Sequence, residues 1–165
     1  MRTDSSNESA FAEFTSTKAD SLLRAAWLLT GDPHKAEDLL QTVLVKLWQR
    51  WDRLDNADAY ARRMLYSTYL SWWRRRWRYE VPTAALPDVA DGHEMETVVV
   101  LRASVCARLA QLSKRQRAVI ALRFWDDLSV EATAAVLGCS VGSVKTHTAR
   151  ALAVLRADEV LGGIR

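Results

Sequence analysis

The residues best able to do chemistry lie near the C-terminus, in Ser129-Val-Glu-Ala-Thr-Ala-Ala-Val-Leu-Gly138-Cys-Ser-Val-Gly-Ser-Val144-Lys-Thr-His. The spacing predicts two short helices joined by a turn. Ala134 is small where the helices cross, Gly138 permits a left-handed turn, and Val144 packs the second helix onto the first. Ser140 is placed to cap that second helix. A helical hairpin with a glycine turn would share part of this pattern. The offsets fit a DNA-reading helix-turn-helix better. Such a helix lies in the major groove with Lys145, Thr146, Ala149 and Arg150 outward. Lys and Arg can donate to guanine O6 and N7, and Ala can meet a thymine methyl. Ser143 and His147 are placed to reach phosphates. Cys139 takes a turn position suited to a small hydrophobe, which predicts packing rather than redox chemistry.

A second constellation, Tyr66-Ser-Thr-Tyr69-Leu-Ser-Trp72-Trp73-Arg-Arg-Arg-Trp77-Arg, interleaves aromatics with a basic run. At 100° per residue Tyr66, Tyr69, Trp73 and Trp77 share one face, with Arg74, Arg75 and Arg78 beside it. That face suits melted or single-stranded DNA. A core stripe edged by snorkelling arginines fits the same pattern. Arg115, Arg117 and Arg123 are placed for phosphate contacts, or for a solvated helix face. Catalytic chemistry is not visible. There is no phosphate loop, no metal-ligand spacing and no nucleophile–base arrangement, and the two cysteines and three histidines stand apart. No cofactor, metal or catalytic residue is expected.

The elements that position these groups are helices. The chain has 165 residues, with only six glycines and three prolines, and none of the glycines falls between Asp32 and Asp91. Sheets need turn residues at regular spacing, so an all-α fold is expected. The predicted helices are Phe11–Leu29, one opened by Asp32-Pro33, Ala59 to about Arg78, Val99–Leu112, Lys114–Phe124, Ser129–Leu137 and Val141 to about Leu155. Residues 1 to about 10 read as a frayed polar arm. Leu40, Val43, Leu44, Leu47 and Trp51 give the second helix a 3.6-residue period. Residues 79–98 carry five acids and no Lys or Arg and read as an acidic linker. Around it, residues 1–78 hold 13 bases and 10 acids, net +3, and residues 99–165 hold 10 bases and 5 acids, net +5. Arg outnumbers Lys 18 to 5, a bias that suits nucleic acid and that genomic codon usage also produces. The polar, acidic N-terminus is unlike a signal peptide, and no apolar run approaches a membrane span, so a cytoplasmic protein without membrane insertion is expected.

The whole layout resembles an extracytoplasmic-function (ECF) sigma factor of bacterial RNA polymerase, from about Phe11 to Leu155. His34-Lys-Ala-Glu37-Asp38-Leu-Leu-Gln41 resembles the family's core-binding segment, and implies that Glu37, Asp38 and Gln41 contact the clamp helices of the polymerase β′ subunit. Tyr60, Arg63, Ser67, Ser71, Arg74 and Arg75 stand where the family reads the −10 element, with Ser67 and Ser71 replacing the usual amide or carboxylate. The preceding loop, Asp55, Asn56 and Ala57, matches the family's flipped-base pocket. The C-terminal motif resembles the −35 reader, with His147 and Leu152 where Arg is usual. The implied organisation is 1–78 for polymerase binding and −10 melting, 79–98 as linker, and 99–165 for −35 recognition. The implied partners are core RNA polymerase, through its β′ clamp helices and β flap, promoter DNA both duplex and melted, and an anti-sigma factor. The implied task is promoter recognition and initiation of a specific regulon, with the acidic linker running near the active-site cleft. A stand-alone regulator is the alternative, because Ser143-Val-Lys-Thr-His147 also resembles a LuxR-type recognition helix. An adaptor held by a partner protein is a third.

Overall fold

The computed structural model describes residues 2–75 and 104–162. All of its regular elements are helical among those residues. The acidic segment 79–98 lies outside them.

Helix α1 spans Arg2–Thr30 and so begins nine residues before the sequence predicts. The polar start is held by its neighbours rather than left as an arm. The Asn7 side chain bonds to Asp52. Phe11 packs edge-on against Trp48 at 5.0 Å and Trp51 at 5.1 Å, and Phe14 meets Trp51 at 5.5 Å. Such edge-to-face pairs add to the area they bury. α1 ends at Gly31 (φ +66°), whose N–H donates to the Trp27 carbonyl.

Helix α2 spans Pro33–Gln49 and starts as the Asp-Pro pair predicts. Asp32 Oδ1 accepts from the N–H groups of His34 (2.8 Å) and Lys35 (3.1 Å). Ala36, Leu39, Val43 and Leu47 are fully buried, while Leu40 and Leu44 flank them half-buried. A single 3₁₀ turn, Trp51–Arg53, leads to helix α3, Ala57–Arg75. Asn56 Oδ1 accepts from Ala59 N–H at 3.0 Å and caps it. α3 buries Ala61, Leu65, Tyr66, Thr68 and Tyr69.

The C-terminal half opens with helical residues 104–109. Helix α4, Lys114–Ile120, carries a reciprocal Ser113/Gln116 capping box. It passes into one π-helical turn, Ala121–Trp125, so the helix predicted over Lys114–Phe124 is regular only to Ile120. Helix α5, Val130–Leu137, is capped by Ser129 and closed by Gly138 in the left-handed region, φ +64°. Helix α6, Val141–Gly162, begins with Ser140 Oγ accepting from Ser143 N–H at 3.1 Å. Val119, Ala134 and Val144 form the core of this unit, with Leu137, Cys139 and Val141 packed on it. Cys139 thus packs, as its position in the turn predicts.

A Cβ at residue 138 would meet nothing within 4 Å, so only the backbone conformation demands glycine there. Gly138→Ala is expected to cost about 1–2 kcal/mol, the left-handed penalty alone. Gly142 is helical and its Cβ would meet only Ser140 Oγ, at 3.9 Å. Gly142→Ala is expected to be neutral or mildly stabilising. Urea denaturation of the two variants checks the contrast.

The two halves share their interior. Ala118, Ala121 and Leu122 of the second half belong to the same buried cluster as Leu22, Leu29, Leu65 and Tyr69 of the first. Leu28 of α1 packs in turn against Leu109, Leu112 and Ala151.

Candidate nucleic-acid interface

The C-terminal surface is built by the turn. Val144 is fully buried and fixes the rotation of α6. Counting from it, Lys145, Thr146, Ala149 and Arg150 are exposed, and Ser143 and His147 are half-buried at the edge. Burial first, then the charges of Arg115 and Arg150, hold the His147 imidazolium below its ordinary pKa. In the free chain at pH 7 His147 is therefore mainly neutral, able to donate or accept a hydrogen bond. Its Nδ1 has no hydrogen-bond partner among the described residues. Arg115 of α4 joins Arg150 on this side, so the cationic strip crosses two helices.

The α3 surface has a different outline. Arg63, Ser67 and Ser71, four residues apart, form an exposed strip. Tyr60 is half-buried one turn earlier, and Asp55, Asn56 and Ala57 stand at the head of the helix. The Asn56 carbonyl oxygen serves the α3 cap, leaving its NH₂ group outward. Arg74 and Arg75 belong to the last turn of α3, and the side chains of residues 73–75 lie outside the described set. Trp77 and Arg78 lie outside it altogether.

The aromatic stripe divides. Tyr66 and Tyr69 are fully buried, so they are core and not stacking platforms for bases. Burial pushes Tyr69 up to about 12, against the opposing charge of Arg117. Trp72 is half-buried against the same core. The basic set divides too. Arg117 is 5 % exposed and cannot reach a phosphate. Its Nε donates to the Leu109 carbonyl at 3.0 Å and its NH1 to the Leu29 carbonyl at 2.6 Å. Arg123 donates to the Leu128 carbonyl and holds the π-helical turn against the start of α5. A helix-face count missed both roles: the Arg117 guanidinium ends on the other half of the chain, and the Arg123 guanidinium ends five residues on, past the π-helical turn.

On α2, Glu37, Asp38 and Gln41 are all exposed on the outer face. That face continues into Val45, 57 % exposed, and Trp48, 43 % exposed. Phe124 and Trp125 form a second exposed apolar pair. Val45, two positions past Val43, and Trp48, one past Leu47, are apolar residues off the buried register, a signal that could have found them. Phe124 and Trp125 carry no such signal, since the π-helical turn shifts their direction.

The comparisons with known proteins fit these elements. Residues 17–79 match the family model for Sigma-70 region 2, and residues 104–155 match that for Sigma-70, region 4. The chain is 45% identical, over 90% of its length and 84% of the relative's, to an RNA polymerase sigma-E factor of Streptomyces avermitilis. It is 43% identical to that of Streptomyces coelicolor, over 91% of this chain and 86% of the other. Among solved structures it resembles the sigma factor RpoE in complex with the anti-sigma factor NepR from Bartonella quintana, with TM-score 0.73, 26% identity, and coverage of 94% of this chain and 99% of that one. It also resembles CnrH in complex with the cytosolic domain of CnrY, with TM-score 0.66, 25% identity, and coverage of 93% and 89%. A stand-alone regulator would leave the region 2 match unexplained. With both regions matched and relatives above 40% identity along nearly the whole length, the chain belongs to the sigma-70 family as an ECF sigma factor for transcription initiation.

Proposed function

We propose that the chain divides its work among three surfaces. α6 reads duplex −35 DNA through Ser143, Lys145, Thr146, His147, Ala149 and Arg150. α3 and its leading loop, Asp55, Asn56, Ala57, Tyr60, Arg63, Ser67, Ser71, Arg74 and Arg75, hold the unstacked −10 strand. α2 docks on the polymerase β′ clamp helices through Glu37, Asp38 and Gln41, extended by Val45 and Trp48. The β flap meets the C-terminal domain. The domain division at 78 and 99 follows from this assignment. The factor works by binding rather than catalysis, in the cytoplasm. No helix among the described residues is long and apolar enough to cross a membrane.

One observation carries the reading: the left-handed Gly138 turn and buried Val144 leave Lys145, Thr146, Ala149 and Arg150 together on the open face of α6. Opening DNA costs a few kcal/mol per unstacked step. The hydroxyls and Arg63 on α3 supply strand contacts that offset this cost, without the aromatic platform the sequence suggests at Tyr66 and Tyr69. One solved neighbour is bound to the anti-sigma factor NepR and the other to the cytosolic domain of CnrY, which supports a protein partner for this chain, an anti-sigma factor. Native mass spectrometry with purified core polymerase tests the docking surface. A 1:1 complex is expected, lost in Glu37→Arg/Asp38→Arg. A complex that survives the double reversal would refute the α2 assignment.

A further inference from the structure

His147 holds a boundary position on α6. Residues three and four apart on a helix are neighbours. Those beside His147 are Val144 and Ala151, both fully buried, with half-buried Ser143 and exposed Arg150. The imidazole therefore has one edge toward the core and one toward solvent. Nδ1 is the enclosed atom, without a hydrogen-bond partner among the described residues. Nε2 is left as the atom that can meet DNA.

The charges acting on the ring are positive. Arg115 reaches it from α4 and Arg150 from the next turn of α6. Neither guanidinium has a carboxylate partner among the described residues. Glu131, the only charged residue of α5, stands in its first turn, at the end remote from the Gly138 turn. Lys145 is two positions back, a spacing at which helix side chains do not face each other. In the free chain, an imidazolium would be a third cation beside two unpaired ones, and its enclosed Nδ1 would hold a proton with no acceptor. Burial and the two arginines accordingly hold the ring below its ordinary pKa.

A duplex reverses this field. With α6 in the major groove, phosphates flank the helix, offset the repulsion from Arg115 and Arg150, and favour the charged ring. A charged Nε2–H donor also makes a hydrogen bond to phosphate or guanine roughly twice as strong as a neutral one.

We propose that −35 recognition by this chain is proton-linked: His147 takes up a proton as α6 enters the groove, so affinity for the duplex rises as the solution becomes more acidic. The proposal rests on the assignment of α6 to duplex −35 DNA. Within it, His147 is the contact whose strength follows pH, while Lys145 and Arg150 stay cationic throughout. A group that titrates higher in the complex than in the free chain binds a proton on docking. Affinity then climbs as pH falls through the bound-state value and levels off below the free-state value.

Fluorescence anisotropy of the polymerase complex on a −35 duplex, at fixed ionic strength from about pH 8 to about pH 6, tests it. The readout is the ratio of wild-type to His147→Gln affinity. Glutamine donates a hydrogen bond without titrating, so the ratio cancels every other group that responds to pH. It is expected to rise at least about threefold across this range, where one full proton per complex would give tenfold per pH unit. His147→Arg is charged throughout, and its profile is expected to run parallel to that of His147→Gln at higher affinity. Calorimetry at about pH 7 in two buffers of different ionisation enthalpy is expected to show greater proton uptake by the wild type than by either variant. A ratio that stays flat or falls toward pH 6 overturns the proposal. Should His147→Gln lose helical circular dichroism, the ratio against His147→Arg decides by the same criterion. Lys145→Glu/Arg150→Glu separates the two claims. Binding by that variant as tight as the wild type sinks the assignment of α6. Its loss of binding alongside a flat wild-type ratio sinks the proton linkage alone.

Discussion

Lys145→Glu/Arg150→Glu is expected to lower the affinity of the polymerase complex for −35 duplex by about 10² to 10⁴-fold. Each cation that donates to a base edge is worth about 1–3 kcal/mol, and ~1.4 kcal/mol is a factor of ten in affinity. Reversal adds repulsion from the phosphates on either side. Both side chains are exposed on α6, so the fold should be unaffected and the melting temperature should stay within the error of an ordinary surface change. Fluorescence anisotropy on duplexes selected by the wild-type complex measures the loss. Ser143→Ala is the internal comparison, expected to cost tenfold or less, because a single neutral hydrogen bond to phosphate positions the helix without reading sequence. The wild-type complex should also show the steep salt dependence of phosphate binding. Its slope should flatten in the double variant by about two counterions.

Arg117→Met is expected to destabilise the chain by about 2–5 kcal/mol. Methionine fills much of the aliphatic volume, so the loss isolates the polar contacts. The Leu29 carbonyl loses its guanidinium donor and the Leu109 carbonyl keeps only the Leu112 N–H; a hydrogen bond to a charged group is worth about 1.5–3 kcal/mol. Tyr69, fully buried nearby, loses the charge that moderates its surroundings. Arg117→Lys should rescue little, because one ammonium cannot reproduce a planar fork aimed at two acceptors. Urea denaturation followed by circular dichroism gives the midpoint shift. A shift no larger than that of Arg115→Met, which changes an incompletely buried neighbour, would refute this account of Arg117.

Local signals in the chain were reliable wherever a short-range rule governs. Asp32-Pro33, Gly138 and Ser140 do in the structure what the sequence analysis expects of them, because a cap or a left-handed turn depends on a few adjacent atoms; the Ser113/Gln116 box and the Ser129 cap obey the same rule but were not read. Apolar periodicity likewise found Val43 and Leu47. Long-range packing was not legible. Tyr66 and Tyr69 looked equally suited to bases or to core, and the choice is made by helices far away in the chain, including Ala118 to Leu122. In the early turns of α1, Asn7 bonds to Asp52, 45 positions on. Arg117 read as a surface cation because its acceptor lies 88 positions away. The exposed face of α6 followed directly from Gly138 and Val144, two residues that a motif can fix. The α3 face needed the partner helices to show which aromatics remain outside.

The account stands most directly on run-off transcription with purified core polymerase over genomic fragments. Addition of this chain is predicted to produce discrete transcripts from promoters that core alone does not use, and Lys145→Glu/Arg150→Glu to abolish them. Core polymerase that is fully active with another sigma factor but gains no start sites from this chain would contradict the account, as would tight, specific DNA binding by the chain without core.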